Sequence, residues 1–252
     1  MVSTTSNLII IPTYNEVKNI APLLESIWGY VPDIHVLVVD DNSSDGTAKV
    51  VKEIQKTAQS QLFIIEREGK LGLGTAYLAG FKWALDRKYE KVIEMDADFS
   101  HPAAILPQMI DELGKHNVVI GSRYVEGGGT VNWSFIRKLI SRGGSLYART
   151  ILGIPIRDLT GGFNGWHREV LKTIDLGSIV SEGYAFQIEL KHRAYRIGYS
   201  LKEIPIIFSE RRAGQSKMSG KIVIEAMYRV WGMAIRVDRM INNGILKILK
   251  TP

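Results

Sequence analysis

The stretch Ile34–Gly46, IHVLVVDDNSSDG, decides how the rest of the chain is read. It begins as a near-continuous apolar run rich in valine, the pattern of a strand buried on both faces, and ends abruptly in carboxylates, an amide and hydroxyls. Four other runs share that form: Asn7–Pro12 (NLIIIP), Gln61–Glu66 (QLFIIE), Lys91–Asp96 (KVIEMD) and Asn117–Ser122 (NVVIGS). Helical patterns lie between them, over Glu16–Tyr30, Asp45–Gln59, Gly74–Lys88 and Pro102–Lys115, and Pro102 suits a first helical turn. Repeated strand–helix units of this length predict an α/β fold, with a doubly wound, mostly parallel sheet flanked by helices.

Beyond Arg123 the alternation stops. A glycine run, Gly127–Gly129, leads to a helical segment at Ser134–Ile151. A Gly-rich turn at Thr160–Gly165, a helix at Gly183–Arg196, a strand at Ser200–Phe208 and a polar loop at Ser209–Ser219 follow. A basic amphipathic helix starts near Lys221. The expected organisation is one domain over residues 1–220, with a helical extension over 221–252 packed on the domain or on a membrane surface.

Composition narrows the function classes. Of 252 residues, 45% are hydrophobic and 23% charged, ordinary globular usage that excludes disorder and collagen-like repeats. Cysteine is absent, which rules out a disulfide scaffold, a Cys-ligated zinc and a thiol nucleophile. No run approaches the ~18 apolar residues of a spanning helix. The net charge of +6 resides after Ser200, where ten Lys/Arg face four Asp/Glu, so an anionic ligand or surface is expected there. No nucleic-acid motif accompanies the basic excess, and no nucleic-acid partner is expected.

Ligands of open α/β sheets sit at the carboxyl ends of the strands. Those ends carry Pro12-Thr13-Tyr14-Asn15-Glu16, Asp40 to Gly46, Asp96-Ala97-Asp98 and Ser122-Arg123. For Asn15 and Asp45 a helix-capping role is the plain alternative. Two carboxylates at one strand end, Asp96 and Asp98, offer hard oxygen ligands suited to Mg²⁺ or Mn²⁺ with substrate phosphates completing the shell. A dinucleotide fingerprint would need Gly-x-Gly-x-x-Gly after the first strand, where Pro-Thr-Tyr-Asn-Glu stands, and no P-loop is present.

Together Pro12–Glu16, Val39–Ser43, Gly72-Leu73-Gly74-Thr75-Ala76 and Asp96-Ala97-Asp98 resemble the family 2 inverting glycosyltransferases, which use nucleotide sugars on a GT-A fold. Later segments are similar to the dolichol-phosphate mannose synthases among them: Ser100-His101-Pro102, Gly121–Tyr124, Arg137 with Ser141, Asp158–Gly161, Gly183–Gln187 and Arg211-x-x-Gly214-x-Ser216-Lys217. One departure is Glu182, where some relatives carry lysine. The resemblance implies transfer of mannose from GDP-mannose to dolichyl or another polyprenyl phosphate, with inversion to a β-linked product. A polyprenyl-phosphate hexosyltransferase using a UDP-sugar is the alternative.

It implies donor binding by Pro12, Tyr14, Glu16, Asp40, Asp41, Asp96, Ala97, Asp98, Arg211 and Lys217, of which Asp98, Arg211 and Lys217 are catalytic. Asp96 and Asp98 are the implied metal ligands, while Arg123, Arg137 and Ser141 are the implied ligands of the acceptor phosphate. His101 is read as a capping or packing residue and His167 as having no motif context. Apolar stripes beside arginines in the segments at 133–142 and 227–239 read as core-facing, and equally as faces for an anionic membrane. A peripheral enzyme at the cytoplasmic face of a membrane, with a small membrane-spanning partner, is the expected setting.

Overall fold

Successive residues of the first strand, β1 (Asn7–Thr13), enter different hydrophobic layers. Leu8 and Ile10 join one core and Ile9 and Ile11 the other, all fully buried. In β2 (His35–Asp40), Leu37 and Val39 divide from Val36 and Val38 in the same way. This is the two-residue period of a strand sandwiched between helices. The computed structural model describes residues 6–58, 60–179, 181–210 and 220–244.

Five more strands join these two: β3 (Leu62–Glu66), β4 (Lys91–Glu94), β5 (Val118–Ser122), β7 (Asn164–His167) and β8 (Leu201–Pro205). The sheet runs in the order β3-β2-β1-β4-β7-β5-β8. Its neighbours are parallel except around β7, which is antiparallel to both β4 and β5. A short second sheet pairs β6 (Gly129–Thr130) with β9 (Ile207–Phe208).

Helices α1 (Ile20–Tyr30), α2 (Thr47–Gln55) and α4 (Leu106–Glu112) bury their apolar faces in one layer. The other layer takes α3 (Leu73–Asp86), α5 (Phe135–Leu152), α6 (Arg168–Thr173), α7 (Gly183–Ile197) and α8 (Gly220–Asn242). Gly80 lets α3 settle on the sheet, since a Cβ there would lie 2.6 Å from Ile10 Cγ2. From α8, Val230, Met233, Val237 and Met240 enter the same core, so this helix packs on the domain. The GT-A-like α/β architecture expected from the sequence is the one observed.

Three local expectations fail. Asn164 and Gly165 were expected in a Gly-rich turn but start β7, in the middle of the sheet. Gly165 is there for closeness rather than turning: a Cβ would meet Leu113 Cδ1 at 2.6 Å. The strand expected at Ser200–Phe208 is two, β8 and β9, in different sheets. Pro102 stands before a 3₁₀ turn, Ala103–Ile105, rather than in the first turn of α4.

Candidate active site

The loops after β1 and β2 are stitched together by short polar side chains. Asp40 accepts hydrogen bonds from Thr13 Oγ1 (2.7 Å), the Ser43 amide (2.8 Å) and Ser43 Oγ (2.6 Å). Asn15 and Asn42 adopt left-handed backbone, at φ 61° and 58°, which suits asparagine. Asp45 accepts from Val17 N–H (3.0 Å) and from Thr47 N–H and Oγ1 (3.0 and 2.6 Å). Although burial pushes its carboxyl up, these bonds, the Thr47 hydroxyl foremost, hold it below the usual range. Asp45 thus ties the loop after β1 to the first residue of α2, while the N-cap position is held by Gly46.

Asp41 is tied in a different direction. Its carboxylate is buried, takes a 2.5 Å bond from Arg67 Nε, and receives the Leu71 and Gly72 amides at 3.1 and 3.2 Å. Arg67 reaches on to Thr75 Oγ1 (2.7 Å) and Gly72 O (3.0 Å), fixing the loop that opens α3. Tyr14 is exposed, with Lys70 Nζ 3.9 Å from its ring centre. Pro12 is half-buried at the end of β1, and Glu16 accepts from Asn19 Nδ2 at 2.7 Å. Pro12, Tyr14, Glu16, Asp40 and Asp41 thus gather at the carboxyl edge of two adjacent strands.

β4, the next strand over, stops at Glu94, so Asp96, Ala97 and Asp98 belong to the loop beyond it. Phe99, at φ 64°, turns that loop back, and Asp98 Oδ1 accepts the Ser100 amide at 3.0 Å. Tyr77 from α3 donates to Asp96 Oδ1 at 3.2 Å. Burial, reinforced by the charge of Asp96, pushes the Tyr77 hydroxyl well above its ordinary range, so it remains a donor. His101 Nδ1 accepts the Asp96 amide at 3.0 Å, which leaves the ring proton of the neutral form on Nε2, 3.9 Å from Asp96 Oδ2. His101 therefore shapes the loop.

The two carboxylates fit a divalent cation. Asp96 is about a quarter exposed at its side chain (24%), and both residues supply hard oxygens at one loop. Among the described residues no group of three or more His, Cys, Asp or Glu could hold a metal, so this pair offers a cation two protein residues.

Beneath this loop lies a fully buried polar cluster. Glu94 accepts from Trp166 Nε1 and Gln187 Nε2, both at 2.5 Å, and Gln187 Oε1 accepts from Asn164 Nδ2 at 2.8 Å. Lys191 donates to the carbonyls of Leu159 (3.1 Å) and Gly161 (2.6 Å). Burial pushes the Glu94 carboxyl up, to about 7, and the Lys191 ammonium down, to about 8.

The implied acceptor ligands lie around one indole. Arg123, at the end of β5, is buried and pairs with Asp158 through Nε (2.7 Å) and Nη2 (2.6 Å), with Thr160 Oγ1 at 2.9 Å from Nη2. Its charge holds Asp158 below the usual carboxylate range against the opposing effect of burial. Arg123, an implied ligand of the acceptor phosphate, thus forks its guanidinium onto Asp158 and braces the 158–161 turn. Arg137 lies 4.0 Å over the Trp133 ring and Arg123 5.5 Å from it. Ser141, one turn beyond Arg137 on α5, accepts from Tyr124 OH at 2.7 Å. Arg137 Nη1 also meets Glu210 Oε1 at 3.1 Å. Phe208 joins the two sides, edge-on to His101 at 5.6 Å and to Trp133 at 5.3 Å. Arg211 and Lys217 lie outside the described residues.

The sequence profile described as "Glycosyl transferase family 2" matches residues 8–175. The chain belongs to that family. A polyprenol monophosphomannose synthase of Mycolicibacterium smegmatis is 44% identical over 239 residues, covering 94% of this chain and 90% of the relative. An undecaprenyl-phosphate mannosyltransferase of Micrococcus luteus is 45% identical over 231 residues, covering 91% and 95%. Among solved family-like folds, glucosyl-3-phosphoglycerate synthase of Mycobacterium tuberculosis, in complex with Mn²⁺ and UDP, superposes with a TM-score of 0.62 at 18% identity, covering 93% of this chain and 80% of that one. A mannosyltransferase of Pyrobaculum calidifontis in complex with GDP-mannose and Mn²⁺ gives 0.55 at 17%, covering 94% and 75%. At such identities the last two speak to the fold alone.

Within the family frame, sequence reading missed Arg67, Tyr77 and Trp133. Arg67 and Tyr77 bond carboxylates 26 and 19 residues away, which no local pattern marks. Trp133 carried a signal, an indole four residues before Arg137, but was read only as part of an apolar stripe.

Proposed function

We propose that the protein transfers mannose from GDP-mannose to the phosphate of dolichyl or another polyprenyl phosphate, giving the β-linked polyprenyl phosphate mannose. The observation that carries this reading is the identity of 44–45%, over nine-tenths or more of both chains, to two proteins named for polyprenyl-phosphate mannosyl chemistry. The site is suited to it. An Asp96–Asp98 edge that can hold a cation lies across Phe208 from a pair of arginines on one indole.

A phosphate monoester has a second pKa of about 6 and is largely dianionic near neutrality, so it attacks without a general base. One of its oxygens forms the bond to the anomeric carbon. The bond from that carbon to the diphosphate breaks, and GDP departs with the electron pair. A single displacement inverts an α-linked donor. When bound at Asp96 and Asp98, Mg²⁺ or Mn²⁺ supplies neutralising charge for the diphosphate. Pro12, Tyr14, Glu16, Asp40, Asp41 and Ala97 shape the nucleotide side, with Arg211 and Lys217 as its cations. Arg137 and Ser141 receive the acceptor phosphate, and Arg123 holds the turn beside them.

The acceptor's tail sets the location. Among the described residues no helix is long and apolar enough to cross a membrane. Yet Phe135, Ile136, Leu139 and Leu146 on α5 and Tyr228, Trp231 and Ile235 on α8 are all more than half exposed. Interspersed arginines make these faces suited to an anionic headgroup layer. We place the enzyme at the cytoplasmic face of a membrane, with residues 1–220 as catalytic domain, 221–252 as its interfacial extension, and a small membrane-spanning protein as partner.

The deciding experiment offers GDP-mannose and UDP-glucose separately with citronellyl phosphate, with and without chelator, and reads the anomeric configuration by NMR. Chelator-sensitive formation of the β-mannosyl product is expected. An α-linked product overturns single displacement, and preference for UDP-glucose overturns the donor.

A further inference from the structure

Two N–H donors sit side by side on the acceptor side with nothing to donate to. The indole Nε1–H of Trp133 and the Nε–H of Arg137 are both shielded from solvent and lack a hydrogen-bond partner. They are neighbours, since the Arg137 guanidinium stacks 4.0 Å from the centre of the Trp133 ring. An unpaired buried donor costs about 1–3 kcal/mol, and two in contact call for an explanation. Packing alone does not give one. Two other indoles of the chain are paired, Trp28 to the Ile34 carbonyl (3.2 Å) and Trp166 to Glu94 (2.5 Å).

The surroundings describe the missing partner. Arg123 and Arg137 both approach the Trp133 ring, each paired with a carboxylate, Asp158 and Glu210. Phe208 meets the ring edge-on at 5.3 Å and 76° and packs against it. At its far end Arg137 is held by Glu210, a carboxylate about half exposed (48%), and an exposed pair of that kind is worth at most about 1 kcal/mol. A dianion with several acceptor oxygens can replace Glu210 and satisfy the two idle donors together. Indole is a donor only and carries no charge. It therefore adds a directional bond beside two arginines without a third positive charge, and its face meets both cations favourably.

We infer that Trp133 is a ligand of the acceptor phosphate, donating its indole N–H to a phosphate monoester that displaces Glu210 from Arg137. This rests on the proposed function for the identity of the acceptor, but not for the presence of a phosphate-monoester seat.

The test uses the full chain with ¹⁵N-labelled tryptophan. Citronellyl phosphate, citronellol and inorganic phosphate are titrated separately, and the Trp133 resonance is identified by its absence from Trp133→Phe. Citronellyl phosphate should shift that indole signal, while citronellol should not. In transfer assays Trp133→Phe, which keeps the ring stack, should raise the acceptor KM about tenfold and leave the donor KM within twofold. Trp133→Leu should do at least as much and lower the melting temperature, separating loss of the ring from loss of the N–H. An unmoved indole signal overturns the inference, as does an unchanged acceptor KM in Trp133→Phe. An equal shift with inorganic phosphate at the same concentration overturns the assignment to the acceptor. Should the wild-type chain move no mannose to citronellyl phosphate, the proposed function fails, while the titration, which needs no turnover, still decides the role of Trp133.

Discussion

Asp41 and Arg137 are both charged residues at the rim of one sheet, and they are held very differently. Asp41 is buried against Arg67 and receives two backbone amides, so nearly all its bonding capacity is spent inside the protein. Arg137 leans on an indole, pairs with a half-exposed carboxylate, and keeps an unpaired Nε–H. The same contrast holds for their neighbours. Asp40 and Asp45 are saturated by Thr13, Ser43, Val17 and Thr47, whereas α5 beside Arg137 exposes Phe135, Ile136 and Leu139. The side proposed to take the nucleotide is fully bonded within the protein, in the manner of a preorganised electrostatic site. The side proposed to take the acceptor keeps donors that a ligand could complete.

The sharpest way to break that division is Arg123, which lies on the acceptor side but is built like the other. Replacing it with methionine strands Asp158 as a buried unpaired carboxylate, and should cost about 3–5 kcal/mol of stability by urea denaturation. A loss under 1 kcal/mol would mean that Arg123 is as provisional as Arg137. Next comes Asp98→Ala, expected to lower kcat/KM by more than 100-fold, about 3 kcal/mol in barrier, with excess EDTA doing the same to the wild type. Activity surviving both treatments would remove the metal-binding role.

A loss of similar size should follow from pH at the seam between α7 and α8. His192 is buried, and burial, followed by the nearby charge of Arg196, lowers its pKa from 6.5 to about 4, with Asp238 opposing. The folded state therefore disfavours its proton. The associated stability is intact above pH 6.5 and falls as pH drops towards 4, by about 3 kcal/mol in total. His192→Leu should flatten that part of a stability–pH curve, and a curve of unchanged slope would refute the assignment.

Smaller effects probe the acceptor side directly. Arg137→Ala should raise the acceptor KM roughly 10–100-fold, the range for hydrogen bonds to charged groups, with the donor KM within twofold. Equal effects on both substrates would erase the distinction between the two sides. Smallest of all, Glu210→Gln should lower the acceptor KM by no more than about fivefold, since only an exposed pair is released. A raised KM would make Glu210 a ligand rather than a placeholder.

Much of the sheet and its polar edge was legible in the sequence, because strands buried on both faces declare themselves as Val- and Ile-rich runs and their polar ends follow at once. The position of Asp96 and Asp98 just beyond β4 needed only that logic. What stayed hidden depends on distant partners. Asn164 and Gly165 read as the end of a Gly-rich turn, and only the space between β4 and β5 makes them the start of a strand. Gln187, Glu189, Lys191, His192 and Arg193 belong by composition to a solvated helix face, yet all are at most 3% exposed. Their companions, such as Glu94 for Gln187 and the carbonyls of 158–161 for Lys191, come from far along the chain. Arg123 was legible at the rim, but its bond to Asp158 was not, because Asp158 is 35 residues away.

The antiparallel insertion of β7 also bears on how the chain is made. β5 pairs only with β7 and β8, through Trp166 and Leu201 opposite Val118, and both partners follow it in the chain. During synthesis β1 to β4 can zip together as they emerge, but Val118–Ser122 must wait roughly 80 residues for its second neighbour. At a typical rate of ~5–20 residues per second, that is a delay of several seconds with an unpaired Val-Val-Ile edge. Such an edge invites pairing with other nascent chains. The newborn protein should therefore depend on chaperones most heavily in the interval between its fifth and eighth strands, and ribosome-bound fragments ending near residue 150 should aggregate on release where the full-length chain does not.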